Sequence, residues 1–242
     1  MSNAKYWIIG LAVVVAAGLL GRAYTYKFRT QQTIVVTGLG ETEFSSDKIV
    51  WSGILTAEAP TAAEGYAQIE KSKAKVLHYI TSKGVDTKSV VFEFVNANKQ
   101  YQPLYNANGN WMGQRFTGYE LRQRFVIESE DVELIEEISR EISSLIAQGV
   151  AIEAYAPDYY YTKLDDVKMG LIETASADAR QRAEKIASNA GTKLGRVQSA
   201  RMGVFQITGA NTNESFSAGG SFNTSSRQKK ARITMRIEYR VK

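Results

Sequence analysis

The sequence contains no cysteine and only one histidine among its 242 residues. Without cysteine, disulfide scaffolds, thiol nucleophiles and thiolate metal sites are excluded, and the redox compartment stays undetermined. With His78 as the single imidazole, a histidine metal cluster is excluded and a Ser-His-Asp triad would depend on that one residue. Because no positioned partner for His78 is identifiable, we expect an exposed helix residue rather than a general base.

Fingerprints of cofactor binding are also missing. Gly38 and Gly40 follow a predicted strand, but no helix opens after them, so a dinucleotide-binding turn is not indicated. Glu41, Glu43 and Asp47 predict an acidic turn that we interpret as solvated, because calcium needs about six to eight oxygen ligands. We therefore predict no cofactor, no metal and no catalytic residue. A hydrolase that uses carboxylates alone stays open as an alternative.

The positive charge of the chain is concentrated at its amino terminus. The formal net charge is +5, but four basic residues and no acid stand within residues 1–29, which leaves the remainder about neutral. A nucleic-acid-binding domain carries its basic residues on the folded part, clustered among aromatic side chains. The charge pattern therefore argues against a nucleic-acid partner.

The stretch from Trp7 to Gly21 is uninterrupted by charge and predicts a membrane helix. Its helical length of about 22 Å is short of a ~30 Å hydrocarbon core, but Arg22 can snorkel and the flanking tyrosines suit the interfaces. We predict one anchor within residues 1–30, with these side chains in lipid: Trp7, Leu11, Val14, Leu19 and Leu20. A cleaved signal peptide is the rival, although a convincing small-x-small cleavage site is lacking.

Beyond the anchor, residues 31–242 predict an α+β domain. Three amphipathic helices are expected, each with a capping residue at its start and a glycine at its end: 61–84, 129–149 and 162–191. In the last helix, four alanines form a side that can lie close against a sheet, and Asp178 falls on the solvated side. Strands are predicted at 34–37, 48–58, 90–94, 119–128, 152–161, 197–207 and 232–241. Each of these helices and strands has a single apolar face to bury. Antiparallel sheets with helices packed on one side bury all of these faces.

Two segments and a tyrosine-rich strand are the candidates for exposed or irregular structure. Residues 96–118 are polar and Gly/Asn-rich but carry aromatic side chains, which indicates a long hairpin arm that contacts a partner. Residues 208–231 are rich in Gly, Ser, Asn and Thr and predict a mobile loop. The strand 152–161 is interrupted by Pro157, so we expect it at a sheet edge. The candidate interface residues are Tyr101, Tyr105, Trp111, Phe116, Tyr159 and Tyr161.

Three stretches of the domain resemble the SIMPL-domain family. The first contains Gly38, Gly40, Glu41 and Asp47, in the order strand, G-x-G-E, Asp and second strand. The second is the strand and helix that begin at Gly118-Tyr119, and the third is ASADARQRAEKIASNAG at 175–191. In this order the motifs are similar to the family over residues 33–242. The segment 208–231 departs from the family in being unusually rich in Gly, Ser and Asn.

The resemblance implies an exported protein of the bacterial envelope. Family members include a periplasmic immunogenic protein and proteins linked to oxidative-stress tolerance, and some build large ring- or channel-like homo-oligomers. We therefore expect a single-pass protein of the inner membrane with its domain in the periplasm, although the basic residues after the anchor mildly favour the cytoplasm. The family supplies no catalytic residues to carry over.

The sequence thus predicts a non-enzymatic, membrane-anchored envelope protein that self-assembles into a homo-oligomer and supports envelope or oxidative-stress tolerance. The surfaces expected to carry assembly are the strands 119–128 and 232–241 and the arm 96–118. The alternative is a binding module that holds another envelope protein through the same arm.

Overall fold

A computed structural model describes residues 3–28, 32–214 and 217–242 of the chain. Residues 1–2 and 29–30 of the predicted anchor segment, and residues 215–216 of the predicted mobile loop, lie outside the described residues. The elements are α1 (Asn3–Phe28), β1 (Thr33–Ser45), β2 (Lys48–Ala59), α2 (Ala62–Ser82), β3 (Val90–Tyr105), β4 (Trp111–Ser129), α3 (Val132–Glu141), β5 (Ile152–Ala154), β6 (Asp158–Tyr160), α4 (Leu164–Asn189), β7 (Leu194–Met202), β8 (Gln206–Gly209) and β9 (Gln228–Val241). Two short 3₁₀ segments, Thr87–Ser89 and Ile142–Gln148, complete the list. The predicted α+β class with antiparallel sheets is confirmed.

Helix α1 contains one span that is long and apolar enough to cross a membrane. The 20 residues Trp7–Tyr26 have a mean hydropathy of 1.8, and none of that span is buried by the rest of the protein. The five side chains predicted to face lipid all lie in this span and are exposed. The same length and composition also suit a signal sequence, so the span fits membrane anchoring or export.

The chain divides into two compact units. The smaller unit comprises Met1–Gly40, Glu173–Gly203 and Thr234–Lys242, and the larger unit comprises Glu41–Ile172 and Val204–Ile233. Each unit has its own cluster of buried apolar side chains.

In the smaller unit, β9 lies between β1 and β7, and the second half of α4 supplies the helical side of the core. The four alanines predicted to face a sheet are at most 2% exposed: Ala175, Ala179, Ala183 and Ala187. Their small side chains let the helix backbone approach β1 closely, so close that a Cβ at Gly38 would lie 2.1 Å from the Ala175 carbonyl oxygen. The predicted alanine side of the helix is therefore confirmed.

The larger unit is built on an antiparallel five-stranded sheet in the order β3-β4-β2-β5, with β6 also paired to β2. Helices α2 and α3 cover one face, where the rings of Trp51 and Phe125 meet edge to face at 5.5 Å. The short β5 lies at the sheet edge, and the chain leaves it before Pro157, as predicted.

Local signals explain where two of the helices begin and end. The Thr61 hydroxyl accepts a hydrogen bond from the Glu64 N–H at 3.3 Å, and Asp131 accepts one from the Leu134 N–H at 3.0 Å. Gly149 ends the second of these segments with φ of 78°, a left-handed conformation that favours glycine. The third helix begins at Leu164, one residue later than a cap at Thr162 predicts, because the Thr162 hydroxyl donates to Asp47 instead.

Two predicted boundaries are wrong. The predicted acidic turn after residue 37 is strand, since β1 continues to Ser45 and only Ser46 and Asp47 separate it from β2. In this part of β1, glycine allows close packing against α4 and does not form a turn. The predicted strand 197–207 is two strands, because its pairing with β9 stops after the bond from the Gly203 N–H to the Thr234 carbonyl and resumes at Gln206.

Candidate interaction surfaces

The predicted arm is a long β-hairpin formed by the ends of β3 and β4. Its turn is held by Asn106, whose side-chain oxygen accepts hydrogen bonds from the N–H groups of Asn108 at 3.0 Å and Asn110 at 2.9 Å. Gly109 takes a positive φ of 77° inside this turn. Asparagine and glycine at these positions therefore fix the conformation of the turn at the tip of the arm.

The aromatic side chains of the arm are exposed, as the sequence predicts. Tyr101, Tyr105, Trp111 and Phe116 are 49%, 62%, 64% and 44% exposed, respectively. Tyr101 and Phe116 pack edge to face with ring centroids 5.7 Å apart, across the two strands of the hairpin. Residues 96–118 also contain two cationic side chains and no carboxylate. The arm thus presents an apolar and mildly basic surface.

Strand β3 lies at the edge of its sheet, but its geometry does not favour pairing with another strand. Register irregularities interrupt its ladder with β4 near Phe92, Gln100 and Leu104. Pro103 adds a residue without an N–H to donate. Bulges and proline are features that keep edge strands from pairing with other chains. Contact through the side chains of the arm is therefore favoured over strand addition.

The two strands expected to carry assembly are interior to their sheets. The stretch 119–128 belongs to β4, between β3 and β2, and 232–241 belongs to β9. Their main-chain hydrogen bonds are already used by both neighbours, so neither strand offers an open edge. The outward charges of β4 are also engaged, because Arg122 pairs with Glu153 at 3.2 Å and Arg124 donates to the Ser52 hydroxyl at 3.1 Å.

Tyr159 lies in the core of the larger unit rather than at its surface, so its selection as an interface residue is corrected. Strand β6 pairs with β2 so that Tyr159 stands opposite Ile49, with its ring 9% exposed. Its hydroxyl donates to Glu136 Oε1 at 2.6 Å, and burial together with this bond raises the pKa of Tyr159 to about 12. Tyr161 is half-buried against the ring of Phe44, at 4.6 Å.

The residues of the family-like motifs hold the backbone of each unit in place. In the smaller unit, Asp178 accepts a hydrogen bond from the Leu39 N–H at 2.8 Å and pairs with Arg182 at 2.9 Å. The Arg182 bond, followed by the Leu39 bond, lowers the pKa of the Asp178 carboxyl. The expectation that Asp178 is a solvated residue is therefore wrong, because β1 brings a free N–H to it.

The acidic residues of the first motif are likewise engaged in the larger unit. Glu41 pairs with Lys230 at 3.1 Å and with Arg232 at 3.4 Å. Asp47 accepts hydrogen bonds from both the N–H and the hydroxyl of Thr162, at 2.8 and 2.7 Å. Among the residues that the structure describes, no group of three or more His, Asp or Glu side chains is arranged to hold a metal ion.

The loop between β8 and β9 is narrower than the predicted mobile segment 208–231, because both ends of that segment are strand. A buried lysine, missed by sequence reasoning, lies at its base. Lys229 is 1% exposed, and its ammonium donates to the Asn223 carbonyl at 2.5 Å. Burial lowers the pKa of Lys229, partly offset by the nearby charge of Glu214. The sequence signal for the burial of Lys229 is that it falls in register with the inward-facing residues of β9.

A cleft of about 570 Å³ opens between α2 and the base of the arm. Its lining combines apolar side chains, among them Phe92, Phe94 and Leu121, with polar ones: Glu70, Lys73, Glu93 and Gln123. The Gln123 amide nitrogen donates to the Glu93 carbonyl at 2.8 Å, which fixes the orientation of the amide. Sequence reasoning missed this cleft, although Gln123 is the one polar residue on the inward side of the alternating strand 119–128.

These features define a class of protein: an antiparallel α+β domain that follows an apolar helix able to enter a membrane. Comparison with models of known protein families identifies the family. The family model named SIMPL, described as a protein of unknown function, matches residues 34–241. The chain therefore belongs to the SIMPL family, as its motifs predict. This membership and the apolar helix fit a protein associated with the cell envelope. Comparison with curated proteins yields no significant match.

Proposed function

We propose that this SIMPL protein is a non-enzymatic, single-pass protein of the bacterial inner membrane whose periplasmic domain self-assembles through its aromatic arm. Family membership and the apolar span Trp7–Tyr26 support the envelope setting. The proposed role is structural support of the envelope under stress, including oxidative stress.

The single observation that carries the proposal is the exposed aromatic surface of the arm. Exposed aromatic side chains at a hairpin tip cost free energy in water, and aromatic residues are enriched at the centres of protein interfaces. The strands first expected to carry assembly, β4 and β9, are paired on both sides and offer no open edge. Assembly through the arm therefore replaces assembly through those strands in our proposal.

The test compares the mass of the full-length protein with that of an arm variant, both in mild detergent, by light scattering with the detergent mass subtracted. The arm variant replaces the aromatic side chains with serine: Tyr101→Ser, Tyr105→Ser, Trp111→Ser and Phe116→Ser. The control, Ile146→Ser with Met169→Ser, removes similarly exposed apolar side chains outside the arm, 56% and 67% exposed. The proposal expects a multiple of 26.8 kDa for the protein and the control, and a monomer for the arm variant.

A second candidate function uses the same surface. If the arm holds a different envelope protein, the full-length chain is monomeric, and crosslinking recovers one stoichiometric partner that the arm variant loses. The same exposed aromatic residues favour this candidate, so the mass measurement separates the two.

A further inference from the structure

The cleft between α2 and the base of the arm is incomplete in the isolated chain. Gln123 is 4% exposed, and among the described residues its side-chain oxygen has no hydrogen-bond partner. A buried acceptor without a donor costs free energy that an incoming N–H or O–H group would recover. Within the lining, the rings of Phe92 and Phe94 suit an apolar or aromatic group. A volume of about 570 Å³ falls in the range of roughly 300–1,000 Å³ typical of binding clefts.

The arm carries a group with the matching chemistry. The indole of Trp111 is 64% exposed, and its N–H can only donate a hydrogen bond. By contrast, the indole of Trp51 is buried, and its N–H donates to the Tyr155 carbonyl at 2.9 Å. Met112 and Tyr105 stand beside Trp111 at the tip and are also exposed.

The charges of the two surfaces are complementary. The arm carries Lys99 and Arg115 and no carboxylate. The charged residues that line the cleft are Glu70, Glu93 and Lys73, which leaves a net charge of −1, and Glu93 also lies 4.0 Å from Arg124. Lys73 pairs with Glu70 at 3.4 Å and lies 5.3 Å from the centre of the Phe92 ring, on a flexible stem that can turn aside for an incoming group.

We infer that the cleft between α2 and β3 is the receptor for the arm tip of a second copy of this chain, with the Trp111 indole filling it and donating to Gln123. This inference rests on the proposed self-assembly and names its contact. Docking by side chains also agrees with the irregular edge of β3, which does not favour strand addition.

The absence of cysteine allows a direct test in the full-length protein. Two differently tagged single-cysteine variants, Met112→Cys at the arm tip and Ala62→Cys in the cleft wall, are mixed in detergent under mild oxidation. The matched control pairs Met112→Cys with Ile146→Cys, which is exposed but does not line the cleft. Docking raises the effective concentration of the first pair of thiols, so we expect at least about fivefold more mixed disulfide than in the control.

Substitutions at Trp111 test the chemistry of the contact. Trp111→Ala removes the anchor and should weaken self-association by about 10- to 100-fold. Trp111→Phe keeps an aromatic ring but removes the N–H, and should weaken it by about 3- to 10-fold. An unchanged dissociation constant for Trp111→Phe would overturn the bond to Gln123.

The outcomes separate this inference from the proposed function. A monomeric full-length protein overturns the self-assembly on which the inference rests. If the protein is an oligomer that the serine arm variant dissociates, but the 112–62 disulfide does not exceed the control, assembly through the arm stands and its receptor is not this cleft. Preferential formation of the 112–62 disulfide in the oligomer supports both.

Discussion

The substitution Gly38→Ala should destabilise the smaller unit more than a single methyl group ordinarily would. A Cβ at this position would lie 2.1 Å from the Ala175 carbonyl oxygen, 2.5 Å from the Ala179 nitrogen and 2.7 Å from the Ala179 Cβ. None of these atoms is the end of a flexible side chain, so strand β1 and helix α4 have to separate. Overpacking typically costs about 1–3 kcal/mol, and a backbone obstacle places this variant at about 3 kcal/mol.

The assay is thermal unfolding of the full-length protein in detergent, followed by far-ultraviolet circular dichroism. At about 2–4 °C per kcal/mol for a chain of this size, Gly38→Ala should lower Tm by about 6–12 °C. The matched control is Gly170→Ala in α4, where an added Cβ meets nothing within 4 Å. That change should raise stability by about 0.5–1 kcal/mol, because alanine loses less conformational entropy in a helix. A Tm within a degree of wild type for Gly38→Ala would refute the close approach of strand and helix.

Three further changes test other contacts. Asp178→Ala removes the acceptor of the Leu39 N–H and should cost about 1 kcal/mol at pH 7. Folding lowers the pKa of Asp178, so the difference in the free energy of unfolding from wild type should hold above about pH 4 and vanish as pH falls through the folded pKa. An unchanged difference at pH 2 contradicts a stabilising role of the ionised carboxylate. Tyr159→Phe removes the bond to Glu136 and should cost about 1 kcal/mol, measured by urea unfolding. Folding raises the Tyr159 pKa, so its contribution is present below about pH 10 and lost as pH rises towards 12. Finally, a chain starting at Gln32 should move from the membrane fraction to the soluble fraction, and its retention in membranes would contradict anchoring by α1.

Much of the fold is predictable from sequence because its signals are local and periodic. The caps at Thr61 and Asp131 and the stop at Gly149 each act within one helical turn. The alanine side of α4 and the inward residues of β4 follow directly from helix and strand periods. The hairpin arm is recognisable because its turn residues separate two aromatic segments.

The errors arise where a residue has a distant partner. Gly38 looks like a turn residue, but it is Ala175 and Ala179, more than 130 positions later in the chain, that leave no room for a larger side chain there. Asp178 looks solvated until β1 brings the Leu39 N–H to it. Tyr159 looks like a surface tyrosine until pairing with β2 turns it towards Glu136.

The candidate site, like the fold, is predictable from sequence only in part. The exposed aromatic residues of the arm could be named from sequence, because they lie in a polar segment without a helical or strand-like apolar stripe. The cleft could not, because α2, β3 and β4 contribute to it from separate parts of the chain. The polar Gln123 on an apolar strand face is the one sequence signal that points to it.

Self-assembly is tested most directly by the mass of the full-length protein in mild detergent, measured by light scattering with the detergent mass subtracted. We expect a single species whose mass is a multiple of 26.8 kDa and that the serine arm variant reduces to a monomer. A monomer at every concentration of the unaltered protein would contradict it.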